Sequence, residues 1–285
     1  MRMRIRSVRA AALAAFVVAV IIPALAGAET LGEIKRRNFL EVCANPDALP
    51  YSSQNSNPQG FQLDLARMVA DDLGVGLRVD WIVYTRFSQR TNCDALMGVI
   101  VKDDGSGPRG VMLTVPYTGS GWVLVLPKDA PTVTRFEDVR GGKGIGVQYS
   151  SWAHYILDTR KLKTRQYAND LEILDALSRR EISAGAVVNT YAGWYVHLQP
   201  NDGVKVASGY TPELDLRYNV ALGLRTADRA LVDAVNAVLR RRVDDGTIKG
   251  IFERYGVSYY APFKAEIAKT PGATKRASGE EGEEK

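Results

Sequence analysis

Two serines, Ser150 and Ser151, stand directly ahead of a helical run that begins at Trp152. Exposed N–H groups and the helix dipole at such a start favour an anion or a carbonyl oxygen, which suits recognition of a polar solute. Equally, Ser151 suits a plain N-cap worth about 1 kcal/mol. Tyr51, Tyr117, Trp122 and Trp152 lie near strand or helix ends, where rings either wall a ligand or fill a core. Tyr51, behind Pro50 at a strand end, is the foremost of them. Groups for bond-breaking chemistry are sparse: Asp94, Asp103, Asp104 and His154 are the acid–base candidates, and no spacing pairs them. Asp64, on the helix after Gly60, reads as a solvated or capping acid. His154 and His197 are the only histidines, too far apart in sequence to suggest a multi-histidine metal site. No C-x-x-C or C-x-x-C-H occurs, which removes redox-motif and haem-attachment readings. The inventory points to hydrogen-bonded recognition without a cofactor or a metal.

The 285-residue chain carries a formal charge of +5, which at first suggests nucleic acid. The excess sits at the start. Arg2, Arg4, Arg6 and Arg9 precede an apolar run from Ala10 to Ala26 and the small-residue site Ala26-Gly27-Ala28. That order predicts a secretory signal peptide over residues 1–28. A single membrane anchor is the other reading, since about 17 apolar residues just span a bilayer; Pro23 and the small-residue site favour cleavage. Taking four of the 37 basic side chains away leaves 33 against 32 acidic ones. A near-neutral exported protein has no electrostatic case for nucleic acid. Export leads to the periplasm, an oxidising compartment, where Cys43 and Cys93 are expected to pair, closing a loop of about 50 residues and stabilising by about 2–4 kcal/mol. Two buried thiols are the alternative. The last stretch, 264–285, is nearly free of bulky apolar residues and ends GEEGEEK; it reads as a disordered tail.

Between these ends, strand and helix patterns alternate. Phe39 to Ala44 predicts a strand, Gly60 to Gly74 a helix with Leu63, Ala66, Val69, Ala70 and Leu73 on one face, and Leu77 to Val83 a period-two strand. Ala95 to Val101 is a continuous apolar run suited to a strand buried on both faces. The pattern recurs through Gly121–Leu126, Lys143–Gln148, Ile182–Val188, Val204–Ala207 and Tyr218–Leu224, with helices after Ser151, after Asn169 and from Tyr191. Ala227–Val243 and Ile248–Tyr255 close the chain as helices. An α/β fold of two lobes follows, with a cleft between them as the ligand site.

Several segments resemble the family 3 periplasmic solute-binding proteins, the type II venus-flytrap receptors. Leu49-Pro50-Tyr51 followed by Gly60-Phe61-Gln62-Leu63-Asp64-Leu65-Ala66 is similar to that family's opening motif. Pro116-Tyr117 with Ser120-Gly121, Gly146-Val147-Gln148 with Ser150-Ser151, and Asp245-Gly246-Thr247-Ile248 with Tyr255-Gly256 resemble its later ones, in the same order. The resemblance implies two lobes, each a mainly parallel sheet flanked by helices, joined by two crossover strands. Lobe 1 would take residues 30–120 plus 222–263 and lobe 2 residues 121–221. It also implies ligand contacts from Tyr51, Tyr117, Ser120, Ser150, Ser151 and Asn189. For an amino-acid ligand it implies an arginine on the carboxylate, for which Arg109 is the candidate; a solvated loop arginine is the other reading. The expected acid after the Ile182 strand is absent: Val188, Asn189 and Thr190 stand there.

A narrower resemblance runs through Val42 to Tyr51, Cys93-Asp94, Ala192-Gly193-Trp194-Tyr195 and Tyr218 to Gly223. These are similar to the J-type relatives associated with methanol and other quinoprotein dehydrogenases. Two functions are therefore expected. One is a monomeric receptor that passes a small polar solute to an inner-membrane ABC permease. The other is an accessory protein of a periplasmic quinoprotein dehydrogenase or its cytochrome. A periplasmic dehydratase is a third class, which lacks a recognisable acid–base pair.

Overall fold

The computed structural model describes residues 30–83, 91, 93–102, 105–225 and 227–264. The expected signal peptide, residues 1–28, all but the first residue of the expected tail 264–285, and Asp103 and Asp104 lie outside the described residues. Helix α1 (Leu31–Arg37) starts on a reciprocal cap: Thr30 Oγ1 accepts the Glu33 N–H and the Glu33 carboxylate accepts that of Thr30. Asn38, left-handed at φ 61°, ends it and turns the chain into β1 (Phe39–Ala44). A small hairpin, β2 (Asp47–Ala48) and β3 (Ser52–Ser53), carries Tyr51 in its turn. Then come α2 (Phe61–Asp72), β4 (Gly76–Trp81), β5 (Ala95–Val101) and β6 (Val111–Leu113). Strand β7 (Thr118–Pro127) leads to β8 (Ile145–Gln148), α3 (Trp152–Thr159), β9 (Thr164–Tyr167), α4 (Asp170–Ser178), β10 (Ala184–Val188), α5 (Asn189–Leu198) and β11 (Val204–Val206). Strand β12 (Arg217–Arg225), α6 (Arg229–Asp244) and α7 (Thr247–Arg254) complete the fold.

The strands lie in the order β4-β1-β5-β12-β7-β10-β8-β9, with β6 added on β12 and β11 on β7. β4, β1 and β5 run parallel, as do β9, β8 and β10. β7 and β12 are each antiparallel to their neighbours and pair with one another through Tyr218↔Ser120 and Val220↔Thr118. These two are the crossover strands. One buried core draws on Ile34 to Tyr117 and Leu222 to Val257, a second on Val123 to Leu216, so the mixed α/β fold is two-lobed about the β7–β12 pair. Cys43 and Cys93 form a disulfide, with Cα atoms 5.5 Å apart, between the ends of neighbouring strands of the first lobe.

Strand β5 departs from expectation. Its run is apolar throughout, yet Gly98 and Ile100 are exposed rather than buried. They face the cleft, where the opposite surface belongs to the other lobe. Helix α2 begins at Gly60, φ 111°, where a Cβ would stand 2.4 Å from the Tyr51 carbonyl oxygen. Only glycine lets the hairpin turn lie so close to the helix start.

Candidate functional site

A cavity of about 160 Å³ lies at the junction of the lobes. The first lobe contributes Tyr51, Phe61, Gln62 and Phe252, with Gly98 and Ile100 from β5. Tyr117, Ser120, Tyr218 and Val220 come from the crossover strands and their approach, and Asn189 and Thr190 from the first turn of α5. The lobes touch across it: the Tyr51 hydroxyl and the Thr190 Oγ1 share a hydrogen bond. Ser120 Oγ donates to Asn189 Oδ1 at 2.7 Å and lies 3.3 Å from the Tyr218 hydroxyl. The Gly121 N–H also reaches Asn189 Oδ1, at 3.4 Å, while Asn189 Nδ2 donates to the Ser258 carbonyl at 3.2 Å. Both ends of that amide are committed, so Asn189 ties α5 to the crossover strand and to the C-terminal segment.

The aromatic wall is packed as a unit. The rings of Tyr51 and Phe61 are 5.2 Å apart, those of Tyr51 and Tyr191 5.4 Å, and those of Phe61 and Phe252 4.7 Å, within the range of favourable tilted and edge contacts. Burial pushes the Tyr51 and Tyr117 phenols well above their ordinary value and raises that of Tyr218, so all three are neutral at physiological pH. Gln62 lies over Gly98, where a Cβ would stand 2.5 Å from Nε2.

Behind α5 sits a buried acid. Asp170, the first residue of α4, is 6% exposed, and its Oδ2 accepts the Val188 N–H at 3.3 Å. Oδ1 has no hydrogen-bond partner among the described residues. Burial raises its pKa to about 6, the Val188 N–H opposing the rise. The carboxylate acts electrostatically on the hydroxyls of Tyr51, Tyr191 and Tyr218, the first and last of which line the cavity.

The structure thus brings Tyr51, Tyr117, Ser120 and Asn189 together and leaves Arg109, Ser150 and Ser151 off the cavity lining. Arg109 is exposed in the turn before β6. Val111 pairs with Arg225, five residues along β12 from Val220, or about 17 Å at strand spacing. The loop therefore returns the chain at the end of the sheet away from the cavity. Ser151 caps α3, accepting the His154 N–H at 3.1 Å, and Ser150 is exposed with φ 55°. Trp152 is exposed and donates to the Asp215 carbonyl, while Trp122 rests edge-on against Tyr218. Asp64 is neither free nor a cap: it accepts from the Tyr255 hydroxyl at 3.0 Å and pairs with Arg67 and Arg254, binding α2 to α7. Asp94 is held by Arg37 and the Glu41 N–H, and His154 meets Gln166 on the second lobe. Among the described residues no cluster of His, Cys, Asp and Glu could hold a metal ion.

Gln62, Tyr218, Phe252 and Asp170 were not singled out from sequence. Gln62 carried a signal, sitting inside the Gly60-to-Ala66 motif, and Tyr218 opened an apolar strand. Asp170, one residue past a helix cap, has the sequence context of a solvated first-turn acid. Only tertiary packing buries it.

The family model for bacterial extracellular solute-binding proteins, family 3, matches residues 40–258. The L-cystine-binding protein TcyJ of Escherichia coli (strain K12) is 25% identical over 236 residues, covering 79% of this chain and 85% of that protein. A membrane-bound lytic murein transglycosylase F of Ectopseudomonas mendocina (strain ymp) is 25% identical over 247 residues, 79% of this chain but 47% of the enzyme. Among solved structures, the unliganded open L-cystine solute receptor of Neisseria gonorrhoeae has the same fold, with a TM-score of 0.67 at 17% identity over 80% of this chain and 98% of that one. The J-type resemblance and its dehydrogenase partner gain no support from these relatives.

Proposed function

Because the chain belongs to the bacterial extracellular solute-binding proteins, family 3, we propose that it works in the periplasm, trapping one small polar solute in the interlobe cavity for an inner-membrane ABC permease. The lobes are residues 30–120 plus 222–263 and residues 121–221, and closure is a rotation about β7 and β12. The observation that carries this reading is the cavity itself: its walls come from both lobes, and Tyr51 meets Thr190 directly across it. Opening the hinge separates those two side chains and uncovers the pocket; closing it encloses the solute. Tyr51, Tyr117, Ser120 and Asn189 shape the pocket in this scheme, with Gln62 and Thr190 as hydrogen-bonding partners. At about 160 Å³ the cavity has room for on the order of five water molecules, so its occupant is compact.

Thermal unfolding against amino acids, amines, organic acids and alcohols tests the receptor reading. A solute at 100 times its Kd adds about 2.7 kcal/mol, a rise of a few degrees in Tm. One class of solute should stabilise and the others should not. Failure of every class, from a protein that melts cooperatively, would reject the reading. Turnover of a stabilising solute would instead place the chain with the enzymes among its relatives.

A further inference from the structure

The charges around the cavity are one-sided. Among the described residues no arginine, lysine or histidine lines it. Its polar lining side chains are neutral hydroxyls and amides, and Tyr51, Phe61, Tyr117, Tyr218 and Phe252 bring five aromatic rings to it. Ring faces carry partial negative charge and attract cations, most strongly where water is excluded. A carboxyl that acts on the cavity's Tyr51 and Tyr218 hydroxyls is that of Asp170, lodged behind Asn189 and Thr190 by the Val188 N–H. Its Oδ1 lacks a hydrogen-bond partner among the described residues, and no cationic side chain among them compensates it. A buried carboxylate in that state is unfavourable until a positive charge arrives beside it.

Resting on the receptor reading, we propose that the solute is a small organic cation, an alkylammonium, held against the aromatic wall of Tyr51, Phe61 and Tyr218 with Asp170 as its counter-charge. A zwitterion fits less well, because its carboxylate would be buried with no cationic partner: Arg109, the residue expected to supply one, is exposed at the far end of β6. A neutral alcohol would satisfy the hydroxyls and leave Asp170 uncompensated.

Titration calorimetry on the protein expressed from its full chain decides this. The probes are choline and ethylammonium, the neutral carbon analogue of choline in which carbon replaces the ammonium nitrogen, and the zwitterions glycine, alanine and cystine. We expect an ammonium probe to bind about tenfold or more tighter than the neutral analogue, the discrimination of a desolvated ring–cation contact. Asp170→Asn, verified by a single cooperative melt, should weaken that binding by about tenfold or more while preserving the fold. Should that variant fail to fold, the comparison of choline with its carbon analogue on the wild-type protein still decides. Equal binding of those two, preference for a zwitterion, or full ammonium affinity in Asp170→Asn would overturn the assignment and leave the receptor reading intact. Absence of binding by every probe class, the panel of the preceding section included, would remove both.

Discussion

Asp170 is a carboxyl whose environment opposes its charge. Its pKa of about 6 lies above the ordinary 3.8, because burial disfavours the ionised form. The native state therefore binds a proton more tightly than the unfolded chain. Its own contribution to stability is most favourable below about pH 4, falls as pH climbs from 4 to 6, and carries the full penalty above that. The shift corresponds to about 3 kcal/mol. Comparison with Asp170→Asn isolates this one group, since the tyrosines beside it stay neutral throughout that range. Urea unfolding at pH 4 and pH 7 should show the stability difference between variant and wild type moving in the variant's favour by about 3 kcal/mol. No movement would mean that Asp170 is hydrated in solution. Asn189 invites the opposite substitution. The family resemblance led us to expect an acid near this point, but its amide donates to the Ser258 carbonyl while accepting from Ser120 and Gly121. A carboxylate would face that carbonyl without a proton to donate. Asn189→Asp should lower stability by about 1–3 kcal/mol, read by the same unfolding curves. The family resemblance pointed to Asn189, and its place behind Pro50 at a strand end to Tyr51, while the commitments of the amide and the burial of Asp170 depend on contacts 69 and 18 residues away along the chain.

At the scale of elements, most of the fold is legible because most of it obeys periodicity. The α2 face and the buried strands β1, β7 and β10 follow from apolar spacing alone. Strand β9 does not: Thr164-Arg165-Gln166-Tyr167 is an edge strand with two exposed positions and no apolar alternation, recognisable only from its pairing with β8. Pairing of Cys43 with Cys93 was an open choice that strand neighbourhood resolves. Closing a loop of 50 residues should restrict the unfolded chain by about 4 kcal/mol. Reduction, or Cys43→Ala with Cys93→Ala, should lower stability by that order in chemical denaturation. Contact between α5 and the C-terminal segment rests on a missing side chain. A Cβ on Gly193 would stand 2.5 Å from the Gly256 carbonyl oxygen, backbone against backbone, and Trp194 beside it packs on Tyr255 at 5.8 Å. Gly193→Ala must push the helix away, at a cost of about 1–3 kcal/mol, visible as a lower Tm.

The whole molecule is two cores hung on one antiparallel pair, and its function turns on what holds the cores together off the hinge. Among the described residues, Tyr51 meets Thr190 and the ring of Tyr191, Asn189 bonds to Ser258, and Trp194 packs on Tyr255. The Asn189 and Trp194 contacts bind α5 to the segment that follows α7, leaving Tyr51–Thr190 as a direct side-chain hydrogen bond across the cavity away from the crossover strands. A neutral hydrogen bond contributes about 0.5–1.5 kcal/mol net, equivalent to a change of roughly two- to twelvefold in the ratio of closed to open molecules. Tyr51→Phe with Thr190→Val removes the bond while keeping ring and volume, so the cores should fold as before. Small-angle X-ray scattering without solute should then give a larger radius of gyration than the wild type, and saturating solute should restore the compact value. Apparent affinity should fall by no more than the same factor if the two hydroxyls act only on closure, since a solute that binds the closed form is weakened by the fraction of molecules that are open. A larger fall would show that one of the hydroxyls touches the solute itself. An unchanged radius would place the closing force in the α5 contacts, and Gly193→Ala would then be the variant that opens the cleft.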